Sequence, residues 1–114
     1  MKHLIIILSS ALLFTACKKE PEHTIRIRNN SSGTISEAKI RDVDFGTIEI
    51  GGTTDYLLLG EVNSETVTGK YGNNFQFLMT VDVNKNGKSN WSLTFNNIDT
   101  ISGDINATFT EENR

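Results

Sequence analysis

The chain of 114 residues contains one cysteine (Cys17), one proline (Pro21) and two histidines (His3 and His23). A lone cysteine excludes an intramolecular disulfide, so a fold in an oxidising compartment has to rest on its apolar core. Two histidines exclude a metal site built from several imidazoles. Lysine and arginine number 11 against 14 aspartates and glutamates, with no dense basic cluster. Nucleic acid and anionic lipid surfaces need such clusters, so neither is expected as the main partner. A sustained helical period is missing too, because apolar residues almost nowhere recur at intervals of three and four.

What is present begins at the N-terminus. A short charged start (Met1, Lys2, His3) leads into an apolar run over 4–14 that only Ser9 and Ser10 interrupt, and then Thr15 and Ala16 place small residues before Cys17. This order reads as a targeting segment that is removed. The run is far shorter than the roughly 20 apolar residues that span a bilayer, which argues against a transmembrane helix. Leu12-Leu13-Phe14-Thr15-Ala16-Cys17 resembles the lipobox cut by lipoprotein signal peptidase, with Phe14 where Leu is the commoner residue. The resemblance implies a diacylglyceryl group on the Cys17 thiol, cleavage after Ala16 and acylation of the new amino terminus, for example with palmitate. Two or three acyl chains anchor stably where one does not. The alternatives are an ordinary secretory signal and a buried structural thiol, but Cys17 is followed by Lys18, Lys19, Glu20 and Pro21, which offer a thiol no apolar partner.

Lys18 follows the cysteine where Asp is the familiar signal for inner-membrane retention, so the expected address is the outer membrane, on its periplasmic face or at the cell surface. The Cys-Lys-Lys-Glu-Pro-Glu run also looks like the charged patch of surface-exported Bacteroidetes lipoproteins, and it equally serves as a solvated tether. Three regions result: a signal peptide over 1–16, a lipidated tether over 17–22 and a β domain over 23–114. Removing 16 of the 114 residues leaves 98, enough for one domain, with ten basic against fourteen acidic side chains and a net charge of −4. Residues 18–22 extend at most about 17 Å at ~3.4 Å per residue, which keeps the domain close to the membrane.

From His23 onward the period is two. Residues 24–28 alternate cleanly, with Ile25 and Ile27 inward and Arg26 and Arg28 outward, and 29–33 supply a turn. Residues 35–43 alternate less strictly, with Ala38 and Ile40 on one face. A strand over 45–50 runs into Gly51-Gly52, a pair that reaches positive φ at little steric cost. A short buried run over 56–59 and a Thr-rich strand over 65–71 follow. Phe75, Phe77, Met79, Val81 and Val83 share one face, as do Trp91, Leu93 and Phe95, and the Asn-Gly between them predicts a hairpin joining these two strands. The last strand, 104–110, turns Ile105, Ala107 and Phe109 inward. The pattern predicts an all-β antiparallel sandwich of about seven strands, immunoglobulin-like or transthyretin-like.

The chemistry-bearing residues do not converge. Residues 82–87 (Asp-Val-Asn-Lys-Asn-Gly) match the first half of a calcium loop, but the twelfth position is Leu93 rather than a bidentate Glu. A hairpin turn explains the same residues. His23 lies beside the tether, where a scaffold to hold a catalytic partner is hard to arrange. The carboxylate pairs Asp42/Asp44 and Glu111/Glu112 read as solvated surface. Trp91 and Tyr56 would make a sugar-binding platform if exposed, but Trp91 alternates in phase with Leu93 and Phe95 and is expected in the core. The Asn-x-Ser/Thr triplets at Asn29, Asn90 and Asn106 are chance occurrences in an Asn/Thr-rich chain.

Ile25-Arg26-Ile27-Arg28-Asn29-Asn30-Ser31, followed by the stretch from Phe45 through Gly51-Gly52-Thr53-Thr54-Asp55-Tyr56, resembles the opening half of small Bacteroidetes lipoproteins of unknown function. The resemblance implies the sandwich fold and carries no functional residues. The expectation is a non-catalytic, lipid-anchored envelope module that binds a protein or glycan or fills a structural role, with no cofactor and no metal. The alternative is an inhibitor or immunity lipoprotein directed at a secreted toxin or protease.

Overall fold

The computed structural model describes residues 22–60, 63–83 and 87–112. Within them the chain forms eight strands: β1 (Glu22–Asn29), β2 (Ile35–Ile40), β3 (Val43–Ile48), β4 (Leu57–Gly60), β5 (Ser64–Tyr71), β6 (Phe75–Asp82), β7 (Lys88–Ile98) and β8 (Ile105–Glu112). Two four-stranded sheets, ordered β4-β1-β7-β8 and β3-β2-β5-β6, make a sandwich-like all-β architecture. The count is eight rather than about seven, each alternating segment forming its own strand, and a two-residue turn at Arg41 and Asp42 ends β2 before Val43, which belongs to β3. Arg41 takes a left-handed φ of 57° there, and its guanidinium donates to the Leu59 carbonyl.

Strand alternation in the sequence translates directly where the ladder is regular. Ile25 and Ile27 of β1 and Leu93 and Phe95 of β7 are fully buried against Ile35, Ile40 and Val67 of the other sheet. Phe77 meets Phe95 edge to face across the two layers, with ring centroids 5.3 Å apart. Alternation fails where the ladder bulges. The β2–β3 register shifts around Ala38, where Glu37 has φ 51° and Gly46 has φ 74°, so Phe45 and Ile48 both point inward although three residues apart. The run over 56–59 is not buried throughout. Leu59 is inside, whereas Leu58 is 61% exposed because a strand offers only alternate residues to one face.

The predicted hairpin between the strands at 75–83 and 88–98 does not form. β6 pairs with β5 along its whole length, and β7 pairs with β1 and β8, so the two strands belong to different sheets. Residues 84–86 lie outside the described residues. The β1–β7 ladder is also parallel, running from Glu22↔Lys88 to Asn29↔Phe95, which corrects the expectation of an entirely antiparallel fold. Glu22, given to the tether by its polarity, belongs to β1, and its N–H donates to the Gly87 carbonyl.

Asn29 ends β1 with its side chain fully buried and every polar atom engaged. Its Nδ2 donates to the carbonyls of Gly33 (2.8 Å) and Ile48 (3.0 Å), while its Oδ1 accepts from the Ser31 N–H (3.0 Å) and the Ser31 hydroxyl. Because the Ser31 N–H is an obligate donor, the amide orientation is fixed by the network. Asn29 thereby holds the β1–β2 turn to the end of β3. No buried side-chain nitrogen or oxygen among the described residues lacks a hydrogen-bond partner.

Candidate functional site

Cys17, the predicted lipid-attachment residue, lies outside the described residues. Asp82 is exposed at the end of β6, and the rest of the half calcium loop lies largely outside the described residues. Among the described residues no three His, Cys, Asp or Glu side chains stand together in a way that would hold a metal ion. Asp42, in the β2–β3 turn, and Asp44, in β3, are both exposed, and Asp42 faces Arg41 at 3.5 Å.

His23 is not at a loose chain end, as its position beside the tether suggests; it is 1% exposed. Strand β1 turns it inward, opposite Ser89 of β7, and its Nδ1 lies 2.5 Å from the Ser89 hydroxyl. The Trp91 Nε1–H donates to that same oxygen at 2.6 Å. An indole is a donor only, so Ser89 accepts from Trp91 and has its own proton to offer His23, which suits the imidazole tautomer protonated at Nε2. A hydroxyl bonded to an imidazole is the arrangement nucleophilic catalysis uses. Here both residues are buried and the oxygen is already occupied, so a substrate atom has no approach and the network serves to satisfy three polar groups inside the sandwich. Trp91 itself is half-buried, packed on the core and stacked on Phe109 with centroids 4.7 Å apart, so it points inward as alternation requires and is no open platform.

The convergent surface group sits on the outer face of β4-β1-β7-β8. Arg26 on the central strand β1 lays its guanidinium over the Tyr56 ring at 4.9 Å, donates from Nε to the Ser92 hydroxyl at 2.8 Å and reaches Glu112 through Nη2 at 3.4 Å. The parallel register places Arg26 directly opposite Ser92. Ser92 is buried beneath the arginine and also hydrogen-bonds Glu112; that bond is the largest influence on the Glu112 carboxyl, and with the bond and charge of Arg26 and the charge of Arg28 it outweighs the opposing effect of burial and lowers the carboxyl from its usual value. Glu112 therefore keeps its negative charge to lower pH than an unpartnered glutamate does. Around this group the same face carries Thr24 bonded to Asn90, then Arg28 beside Thr94, and Asn96 donating to Thr108 at 3.2 Å. The face is thus a hydroxyl- and amide-rich field with two guanidinium groups at its centre, one held in a fixed plane by three partners. A planar guanidinium so fixed matches a carboxylate, and the surrounding Thr and Asn groups match hydroxyls.

The alternation at 24–28 already placed Arg26 and Arg28 outward. Tyr56, Ser92 and Glu112 carry no local signal of belonging with them, since they arrive from the segment before β4, from β7 and from β8.

A second feature is the β7–β8 loop. Asp99 closes it by accepting at Oδ1 from the Ile101 N–H (2.9 Å) and the Ser102 N–H (3.3 Å), and its backbone pairs with Asp104 and Gly103. Those backbone bonds hold the Asp99 carboxyl below the usual carboxylate range. Its contribution to the loop is therefore complete at neutral pH and is lost as the pH falls through that lowered value. Amide exchange at Ile101 and Ser102 is expected to accelerate only below the usual carboxylate range, and Asp99→Asn, which keeps the acceptor and removes the titration, should flatten that response. Ile101 stands at the tip of this closed loop, 97% exposed.

Two depressions lie on the surface among the described residues. One of about 460 Å³ lies by the β2 bulge, where its lining Lys70 is already held by Glu37 at 2.7 Å. The other, of about 440 Å³, lies between β3 and the segment 52–57. No protein-family model matches the chain, and neither does any curated protein or any solved structure.

Proposed function

We propose that the protein is a lipid-anchored, non-catalytic binding module of the cell envelope, held at the outer membrane through Cys17 and engaging a protein or glycan partner with the outer face of β4-β1-β7-β8. The observation that carries the binding role is the guanidinium of Arg26, fixed between Tyr56, Ser92 and Glu112 on a rigid central strand. Fixing so many bonds of one arginine side chain removes entropy that a partner would otherwise have to supply on binding. The anchor rests on the Leu12 to Cys17 pattern. Among sandwich types, the order β4-β1-β7-β8 departs from the immunoglobulin arrangement, in which the first two strands share a sheet, and this favours the transthyretin-like alternative.

The test is capture of envelope proteins and glycans by the purified chain and by Arg26→Ala. Loss of a charge-assisted contact of about 1.5–3 kcal/mol predicts that Arg26→Ala weakens capture about tenfold or more while the circular dichroism spectrum is unchanged. Equal capture by both chains would remove the role of this face.

The inhibitor reading has one observation of its own. A loop closed by its own hydrogen bonds that presents a single exposed apolar residue, Ile101, is suited to enter a partner's pocket. In the same capture experiment Ile101→Asp then abolishes binding and Arg26→Ala does not.

A further inference from the structure

The four edge strands of the two sheets differ in how they are guarded. β4 is only four residues long, and β3 is broken by register shifts and the left-handed Gly46. β8 has a register shift against β7, ends in Glu111-Glu112 and follows Asp104. Such short, bulged or charged edges resist pairing with another chain. β6 has none of these devices. It pairs with β5 over all eight residues without a register shift, it contains no proline, lysine or arginine, and its one charge, Asp82, is its last residue. Its outward-facing Leu78 is 68% exposed, and the inward-facing Phe75 and Met79 are only partly covered.

We propose that β6 is a self-association edge, on which a second copy of this chain pairs antiparallel about a twofold axis at Leu78. The strand is complementary to itself in that register. Phe77 meets the partner's Met79 and Phe75 meets the partner's Val81 on the core side, while Gln76 meets the partner's Thr80 and Leu78 meets the partner's Leu78 on the outer side. Every residue keeps its face, because an antiparallel pair centred on one residue matches even positions with even and odd with odd. Charge selects both the direction and the strand. The two Asp82 carboxylates fall at opposite ends, about 27 Å apart at ~3.4 Å per residue and so beyond the Debye length, whereas a parallel pair sets them side by side. The corresponding pair of β8 strands centred on Thr108 would set Glu112 against the partner's Asp104 twice. Self-pairing of β6 joins the two β3-β2-β5-β6 sheets into one and leaves the outer face of the other sheet open, so the inference stands independently of the function proposed above.

Leu78→Cys in the full chain tests it. Directly opposed residues in an antiparallel pair have Cα atoms about 4.5–5.5 Å apart, within the span a disulfide bridges. Under mild oxidation of the purified chain in detergent, Leu78→Cys should cross-link to a dimer at least on the order of tenfold faster than Thr108→Cys on β8, because pairing raises the effective thiol concentration. Adding Gln76→Lys and Thr80→Lys, both at exposed positions, sets like charges opposite one another and should abolish that excess. Gln76→Lys with Thr80→Glu sets opposite charges together and should restore it. Cross-linking of Leu78→Cys no faster than that of Thr108→Cys, or a rate indifferent to the charge pairs, would each overturn the proposal.

Discussion

Asn29→Asp is expected to destabilise the fold by about 3–6 kcal/mol, enough to leave a domain of ordinary stability (~5–15 kcal/mol) largely unfolded at its margin. The two side chains have nearly the same shape, so no cavity is made and no contact is lost to size. What changes is the Nδ2 group, which donates to the carbonyls of Gly33 and Ile48 in a fully buried setting. Aspartate turns that donor into an acceptor facing two other acceptors. Either the carboxylate stays ionised without a counter-charge among the described atoms that bond it, or it takes up a proton and satisfies one carbonyl at most. Both outcomes take the Asn29 donor from at least one of the two carbonyls, of which Gly33 has the Ser31 hydroxyl at 3.1 Å as a second donor, and each unsatisfied buried group costs about 1–3 kcal/mol, more where the carboxylate stays charged. Urea denaturation of the two proteins measures the difference. With a slope of about 1–3 kcal/mol per molar, the midpoint should fall by more than 1 M. A midpoint within a few tenths of a molar of the parent would show that the network around Asn29 is not holding the β1–β2 turn to β3.

Phe95→Ala is expected to cost about 3–5 kcal/mol, the usual range for removing a fully buried aromatic side chain from a packed core. Phe95 is fully buried, and its ring carries the edge contact to Phe77 that links the sheets. Phe77 is held from the other side as well. A Cβ added to Gly69, its cross-strand neighbour on β5, would stand 2.6 Å from its ring. Gly69 is therefore small because Phe77 lies over it, and Gly69→Ala alone is expected to cost about 1–3 kcal/mol through overpacking. The two effects are coupled. Once Phe95 is Ala, the Phe77 ring has space to move off residue 69, so the double variant should be more stable than the sum of the singles by about 1 kcal/mol. Denaturation of the four proteins closes that cycle, and strict additivity would contradict the described packing of Phe77 between Gly69 and Phe95.

These residues also show what a sequence of this kind reveals and what it conceals. Ile25, Ile27, Leu93 and Phe95 were legible as core because alternation along one strand depends only on which face is buried. Glu37 and Gly46 broke the alternation of β2 and β3, and a bulge leaves no mark in a hydrophobic pattern except an irregular one. Partner choice was not legible at all. Phe77 and Phe95 belong to strands with the same inward pattern separated by an Asn-Gly, which suits a hairpin and equally suits a link between layers. The β1–β7 ladder joins residues 66 apart, as Thr24 and Asn90 are, and no local chemistry announces a parallel pair at that distance. For the same reason only Arg26 and Arg28 of the polar face could be placed from sequence. Asn29 was visible as a turn former, which is the usual role of asparagine, while its burial depends on the ends of β3 and on Gly33 folding over it. His23 was read by its nearness to the tether, and the fold instead buries it against Ser89.

The most direct measurement of the account is the intact mass and N-terminal sequence of the protein recovered from its cell envelope. A chain beginning at Cys17, heavier than residues 17–114 by a diacylglyceryl group and an N-acyl group and partitioning into detergent, is the predicted result. A chain that begins elsewhere, or one that begins at Cys17 with an unmodified thiol, would contradict it.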